Sequence, residues 1–179
     1  MLRRSTNSND IRVNLDFRPD TNISTDKGIM SFIIHFYSNK GTKTLITLEQ
    51  LPIVAIPSMN DTHLDETLII NRLETAAKDN NTEAVPEILK ELLEHTATHF
   101  FDEEDMMEEA LFPAFKTHKS EHDRHLHELK SVMKYFEEHK DTRAISAYVE
   151  GNLTPWTLHH ADTMDRMLAL FLEEGATTA

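Results

Sequence analysis

The chain has 179 residues, room for one domain with a real core, and it has no cysteine, which removes disulfides, iron–sulfur clusters, thiolate zinc sites and cysteine nucleophiles together. Its net charge of −13 argues against nucleic-acid partners, which call for clustered Lys and Arg. No apolar run approaches the roughly 18 to 20 residues that span a bilayer, since even the stretch 28–37 is interrupted by Ser31 and His35. The sequence therefore reads as a soluble, cytoplasmic protein with neither membrane nor nucleic-acid partners, in which any metal must be held by His, Asp and Glu, ligands suited to Fe, Mn, Zn or Cu rather than calcium.

Residues 1–45 carry a net +3 and the remainder −16. The first part is rich in Asn, Ser and Thr and has no helical period. Arg3, Arg4 and the serines faintly suggest a transit peptide, but Asp10, Asp16, Asp20 and Asp26 are wrong for one. The expectation is an N-terminal segment, residues 1–57, that is mostly disordered or lies upstream of the true start, with at most one strand around Ile34, Phe36 and Tyr37.

From Asn60 onward the period is helical, and a second unit is expected over residues 58–175. Asn60 or Asp61 can cap a first helix with His63, Thr67, Ile70, Leu73 and Ala77 on one stripe, ended by Lys78-Asp79-Asn80-Asn81. Thr82 caps the next, Pro86 sits in its first turn, and Val85, Leu89, Leu92, Thr96, His99, Glu103, Met107 and Ala110 follow at three- and four-residue steps. Beyond Pro113, Phe115, His118, His122, Leu126, Leu129, Met133 and Phe136 repeat the spacing up to Lys140. A fourth helix, from about Asp141 to Glu174, aligns Ile145, Tyr148, Asn152, Trp156, His160, Met164, Met167 and Phe171, with Gly175 just past its end. Pro155 crowds the Gly151 carbonyl and predicts a kink. Four helices with short links predict an all-α, up-down-up-down four-helix bundle.

The residues that interrupt the apolar stripes are histidines and acids. His99 with Glu103 and His118 with His122 are i, i+4 pairs, so each pair points two ligands into one space. Helix four offers His160 and Asp165, whose five-residue separation rotates Asp165 by roughly 140° in an α-helix, and helix one offers His63 beside Asp61, Asp65 and Glu66. Any one fragment is weak, because eleven histidines in 179 residues give about 0.7 His-x-x-x-His pairs by chance. The combined set is stronger. Each helix supplies a ligand type at a stripe position, and five buried histidines without a metal would cost about 1 to 3 kcal/mol for each unsatisfied ring.

This ordered set resembles the hemerythrins, including stand-alone bacterial ones, over about residues 58–172. The resemblance rests on His63 in Asn60-Asp-Thr-His-Leu-Asp-Glu66, on His99-Phe-Phe-Asp-Glu103-Glu-Asp-Met106, on Pro113 followed by His118-Lys-Ser-Glu-His122, and on Trp156-Thr-Leu-His-His160-Ala-Asp-Thr-Met-Asp165. It departs from the family at Pro155 and over the N-terminal 45 or so residues. The resemblance implies two non-haem Fe ions: His118, His122 and His160 on one, His63 and His99 on the other. Glu103 and Asp165 would bridge them together with an oxo or hydroxo group, and dioxygen would bind at an open position on the two-histidine iron.

Other residues compete for these roles. His95 and His125 are candidates for supporting or substitute ligands, His159 points roughly 100° away from His160, and Asp162 replaces Asp165 only in an unwound helix. Trp156, Phe100, Phe101, Met106 and Met107 read as core packing first and pocket wall second, His127 and His139 as solvated, and the acidic run Asp102 to Glu109, apart from Glu103, as a solvated face. The leading functional expectation is reversible dioxygen binding for carriage, storage or buffering, without catalysis, since di-iron oxygenase bundles use more carboxylates and Glu-x-x-His motifs. A peroxide- or nitric-oxide-removing enzyme and an oxygen, redox or iron sensor are the alternatives.

Overall fold

The computed structural model describes residues 45–177; the strand expected around Ile34, Phe36 and Tyr37, like the other expectations for residues 1–44, lies outside them. The described residues contain no strand. They form a four-helix bundle of α1 (Pro57–Lys78), α2 (Ala84–Glu109), α3 (Phe115–His139) and a composite α4, which runs through Thr142–Tyr148, a π turn at Val149–Leu153, Thr154–His160, a second π turn at Ala161–Asp165 and Arg166–Thr177. Helix α1 packs on α2 and on the start of α4, and α2 packs on α3. No described helix is long and apolar enough to cross a membrane.

The links reverse the chain sharply, and each contains one left-handed residue: Asn80, Leu111 and Lys140 have φ of 54°, 54° and 51°. Helices α1 and α2 end alike, with Asn81 N donating to Ala76 O and Asn80 N to Ala77 O, then Phe112 N to Met107 O and Leu111 N to Glu108 O. That pattern closes the last carbonyls of a helix through a single left-handed residue. Asp141 caps α4, its Oδ1 accepting from the amides of Arg143 and Ala144.

Two caps differ from expectation. Helix α1 begins at Pro57, where a fixed φ suits the first turn, so Asn60 is free for other work. Its Oδ1 accepts from Val54 N at 2.8 Å and its Nδ2 donates to Val54 O and Ile56 O. At the start of α2, Asn81 rather than Thr82 takes the amide of Ala84. The same use of asparagine ties down the chain ahead of α1, where Asn71 makes a two-way amide bridge with the backbone of Ile46 at 2.8 and 2.9 Å. Residues 45–56, drawn into the N-terminal segment on composition, therefore lie on the bundle, with Ile46 and Val54 buried.

Helix α4 departs most from simple periodicity. Its buried positions include Ile145, Val149, Leu153, Thr157, Ala161, Asp165 and Ala169, a steady four-residue stride. A regular α-helix would drift about 40° with every four residues, which would carry these side chains around to solvent. The two π turns absorb that drift: Thr154 N reaches back five residues to Val149 O, and Arg166 N to Ala161 O. The first turn lies just ahead of Pro155, at the position where a kink is expected. The added residues shift the buried face, so Leu168 is buried whereas Met167, expected on the stripe, is 56 % exposed. Gly175, expected beyond the helix end, lies within Arg166–Thr177.

The apolar core is in two parts. One gathers Ile70, Leu73, Leu89, Leu92, Leu129, Phe136, Ile145 and Tyr148, and the other Val54, Met59, Met107, Phe112, Leu168 and Ala169. Along every helix the histidines and acids of the candidate site fall between these parts, so a polar layer is enclosed above and below by hydrocarbon. Of the two phenylalanines expected in the core, Phe100 is 2 % exposed and Phe101 is 62 % exposed. Phe100→Ala is expected to cost about 3–5 kcal/mol and Phe101→Ala to stay within about 0.5 kcal/mol, as read from chemical denaturation; equal costs would contradict the packing described.

Candidate metal centre

All seven sequence-predicted residues meet inside the polar layer, and each is buried. His63 comes from α1, His99 and Glu103 from α2, His118 and His122 from α3, and His160 and Asp165 from α4. Their ligand atoms form two groups, each within 4.8 Å: Glu103, His118, His122, His160 and Asp165, and then His63, His99, Glu103 and Asp165. Glu103 and Asp165 belong to both. The sideways offset expected for Asp165 is not what the fold provides. The π turn at Ala161–Asp165 closes over five residues, which carries Asp165 nearly into line with His160, and Asp165 Oδ1 stands 3.1 Å from both His160 Nε2 and His118 Nε2.

The five imidazoles turn Nε2 inward. His118 Nε2 and His122 Nε2 lie 3.1 and 3.2 Å from His160 Nε2, a separation at which facing lone pairs repel unless a proton or a cation lies between them. Neighbouring nitrogens bound at about 2.0–2.1 Å to a common ion would stand about 3 Å apart, so the spacing suits a metal. His63 Nε2 and Asp165 Oδ2 approach to 3.0 Å, yet both, with Glu103 Oε2, are buried without a hydrogen bond. Buried polar atoms rarely lack a partner. The set of imidazole nitrogens and carboxylate oxygens fits a transition-metal ion in each group.

Behind the ligands lies a set of residues that periodicity alone did not single out. Glu66, buried on α1, sets Oε2 2.9 Å from His99 Nδ1 while its Oε1 accepts from Thr96 Oγ1. Glu104 sets Oε1 3.3 Å from His122 Nδ1 and is itself held by Lys119 Nζ at 2.7 Å. With a proton on each Nδ1, both rings donate to these carboxylates and keep the Nε2 lone pair inward. Glu104 thus has a role within an acidic run expected to be solvated. Phe100 stacks on His122 at 3.8 Å and 3°, and Trp156 on His160 at 4.5 Å and 17°.

The competing residues stand apart from the cluster. His95 Nε2 meets Thr62 O, His159 is exposed, and Asp162 is exposed and paired with Arg166. His125 is fully buried and stacks on Trp156 at 3.6 Å and 4°; burial pushes its pKa down to about 3 against the pull of Glu66, so it is neutral packing material. Within the cluster, burial would raise the Asp165 carboxyl, but His118, His160 and His63 hold it well below its ordinary range. Burial and Asp165 likewise raise Glu103, and His122 and His99 outweigh them. Burial lowers His122. Burial also opposes the charged form of His99, yet Glu103 and Glu66 raise its pKa well above normal, while Glu66, despite its own burial, falls to about 2 through His99.

These shifts set a pH window for the chelator-treated protein. Glu66 is depressed from 4.5, so its contribution is complete above that value and is lost as pH falls toward 2. His99 is raised from 6.5, so its contribution is complete below that value and fades as pH climbs through its folded-state pKa. The stability difference between the natural chain and Glu66→Gln, followed by denaturation across pH, is expected to be largest between about 4.5 and 6.5. A difference that keeps growing above pH 8 would contradict the pairing.

The comparisons with known proteins bear on the family and the fold. The family profile described as "Hemerythrin HHE cation binding domain" matches residues 54–172. A bacteriohemerythrin of Aquifex aeolicus is 27 % identical over 111 residues, covering 62 % of this chain and 85 % of that protein. One of Ralstonia nicotianae is 31 % identical over 91 residues, covering 51 % of this chain and 65 % of that protein. Among solved structures, a hemerythrin point mutant superposes with a TM-score of 0.59 at 21 % identity, covering 71 % of this chain and 95 % of that one; this likeness bears on the fold. With the profile spanning most of the chain and every helix of the bundle, the protein belongs to the hemerythrin HHE cation-binding domain family.

Proposed function

We propose that the chain holds two non-haem iron ions and binds dioxygen reversibly, with His118, His122 and His160 on one ion, His63 and His99 on the other, and Glu103 and Asp165 bridging. The observation that carries this reading is that the two ligand groups share those two carboxylates and divide the five histidines three to two. A ferrous pair supplies the electrons that a bound dioxygen draws on. The remaining work falls to the protein's own side chains. Glu66 and Glu104 set the ring tautomers of His99 and His122, and the two carboxylates, ionised despite burial, offset cationic charge in the interior. Phe100, Trp156 and the two apolar core regions keep bulk water from the polar layer.

The three-to-two division favours binding over further chemistry. One group offers five residues and the other four, so the histidine-poor side retains room for a small ligand. A cleft of about 210 Å³ reaches that side, with His99 and Glu103 among its lining residues. Few carboxylates and many neutral imidazoles also donate less charge to the metal than oxygenase bundles do, which favours release of intact dioxygen.

Iron reconstitution followed by metal analysis and absorption spectroscopy tests the proposal. The expected result is about two irons per chain, charge-transfer bands that intensify with azide, and an oxygenated form that returns to the ferrous state when oxygen is removed. His118→Ala is expected to lose iron, whereas His139→Ala, at an exposed position, retains it. Glu66→Gln is expected to keep the ligands but to weaken metal binding about 10- to 100-fold. Sustained turnover of peroxide without a recoverable oxygenated form would overturn the carrier reading, and retention of iron by His118→Ala would overturn the ligand set.

A further inference from the structure

The cleft that reaches the two-histidine side is asymmetric in charge. Its walls are Ser58, Met59 and Thr62 from the start of α1 and Asp102, Asp105 and Met106 from α2, with His99 and Glu103 at the buried end. Asp102 and Asp105 are both exposed and, three residues apart on one helix, lie on the same side of it. Neither takes part in a described ion pair, although Glu104, which lies between them in the chain, is held by Lys119. Among the described residues, no Lys or Arg lines the cleft. A small molecule approaching His99 by this route passes two uncompensated carboxylates before it meets an apolar and hydroxyl-bearing throat. The buried end presents His99 and Glu103, both buried, with Glu103 Oε1 3.1 Å from His99 Nε2, and His63, in the same ligand group, has its Nε2 buried without a hydrogen-bond partner.

We propose that this cleft is the ligand's route to the centre and that Asp102 and Asp105 form an electrostatic filter at its mouth, which passes neutral diatomic molecules and slows small anions. The inference rests on the proposed function, since it assigns a selectivity to the same site. The physics is that of charge steering with the sign reversed: like charge at a low-dielectric opening lowers the local concentration of an anion and its association rate, and leaves an uncharged molecule unaffected. Salt weakens the filter, because the screening length shrinks from about 30 Å at 0.01 M to about 8 Å at 0.15 M.

The test uses the iron-reconstituted full chain with two probes, azide on the oxidised protein and dioxygen on the reduced protein, each followed by stopped-flow absorption. In the double variant Asp102→Asn/Asp105→Asn the azide association rate at low salt is expected to rise about 3- to 10-fold, with dioxygen association unchanged. For the natural chain, added salt is expected to speed azide association; for the double variant the dependence flattens. Ser58→Trp, at an exposed position on the rim, is expected to slow both probes. Azide rates equal in the natural chain and the double variant, or no effect of Ser58→Trp on either probe, would overturn the filter while leaving the oxygen-binding reading intact. A protein that takes up iron but binds neither probe would overturn both.

Discussion

Burying five imidazoles and two carboxylates in the interior of one bundle is the constraint around which the rest of the molecule is arranged. A charged group in an apolar interior is costly unless it is paired, so each acid here faces several ring nitrogens, and two of the rings, His99 and His122, face a second carboxylate behind them. That requirement explains the two-part core. The polar layer separates the hydrocarbon around Leu73, Leu89 and Phe136 from that around Met59, Met107 and Leu168, and both regions must be well packed to keep the layer dry. It also explains why Thr96, at a stripe position of α2, is a hydroxyl rather than an aliphatic side chain: it donates to Glu66.

Helix α4 meets a harder geometric demand than the other three. It must present Thr157, Ala161, Asp165 and Ala169 to the interior in succession, a stride longer than the helical repeat. Two π turns provide the missing rotation, their amides reaching back five residues instead of four. The second turn is also what brings Asp165 within reach of both candidate ligand groups. Irregularity in this helix is thus tied directly to the carboxylate shared by the two halves of the site.

Much of this was legible in the residues. The four helical stripes follow from three- and four-residue spacing, and the candidate ligands stand out because a histidine or an acid interrupts a hydrophobic stripe. The resemblance to hemerythrins added the grouping of ligands, which spacing alone left open. Other features were not visible at that level. Glu66 looked like one acid among several near His63, because its role depends on His99 and Thr96 facing it from a separate helix. Glu104 was hidden in an acidic run for the same reason. An unbroken α-helical period puts Met167 inside, which the π turns undo, and Phe101, next to the buried Phe100, points about 100° away from it. Spacing makes Asn60 a cap, whereas its amide holds Val54 and Ile56, a contact that spacing does not encode.

The aromatic stack behind the ligands bears on how the protein can be observed. The chain has a single tryptophan, and Trp156 lies sandwiched between the rings of His125 and His160. Because one of those rings belongs to the candidate ligand set, light emitted by this indole is expected to respond to an ion at the centre of the bundle. Filling of the site becomes an optical event native to the molecule, read from one chromophore with no dye attached.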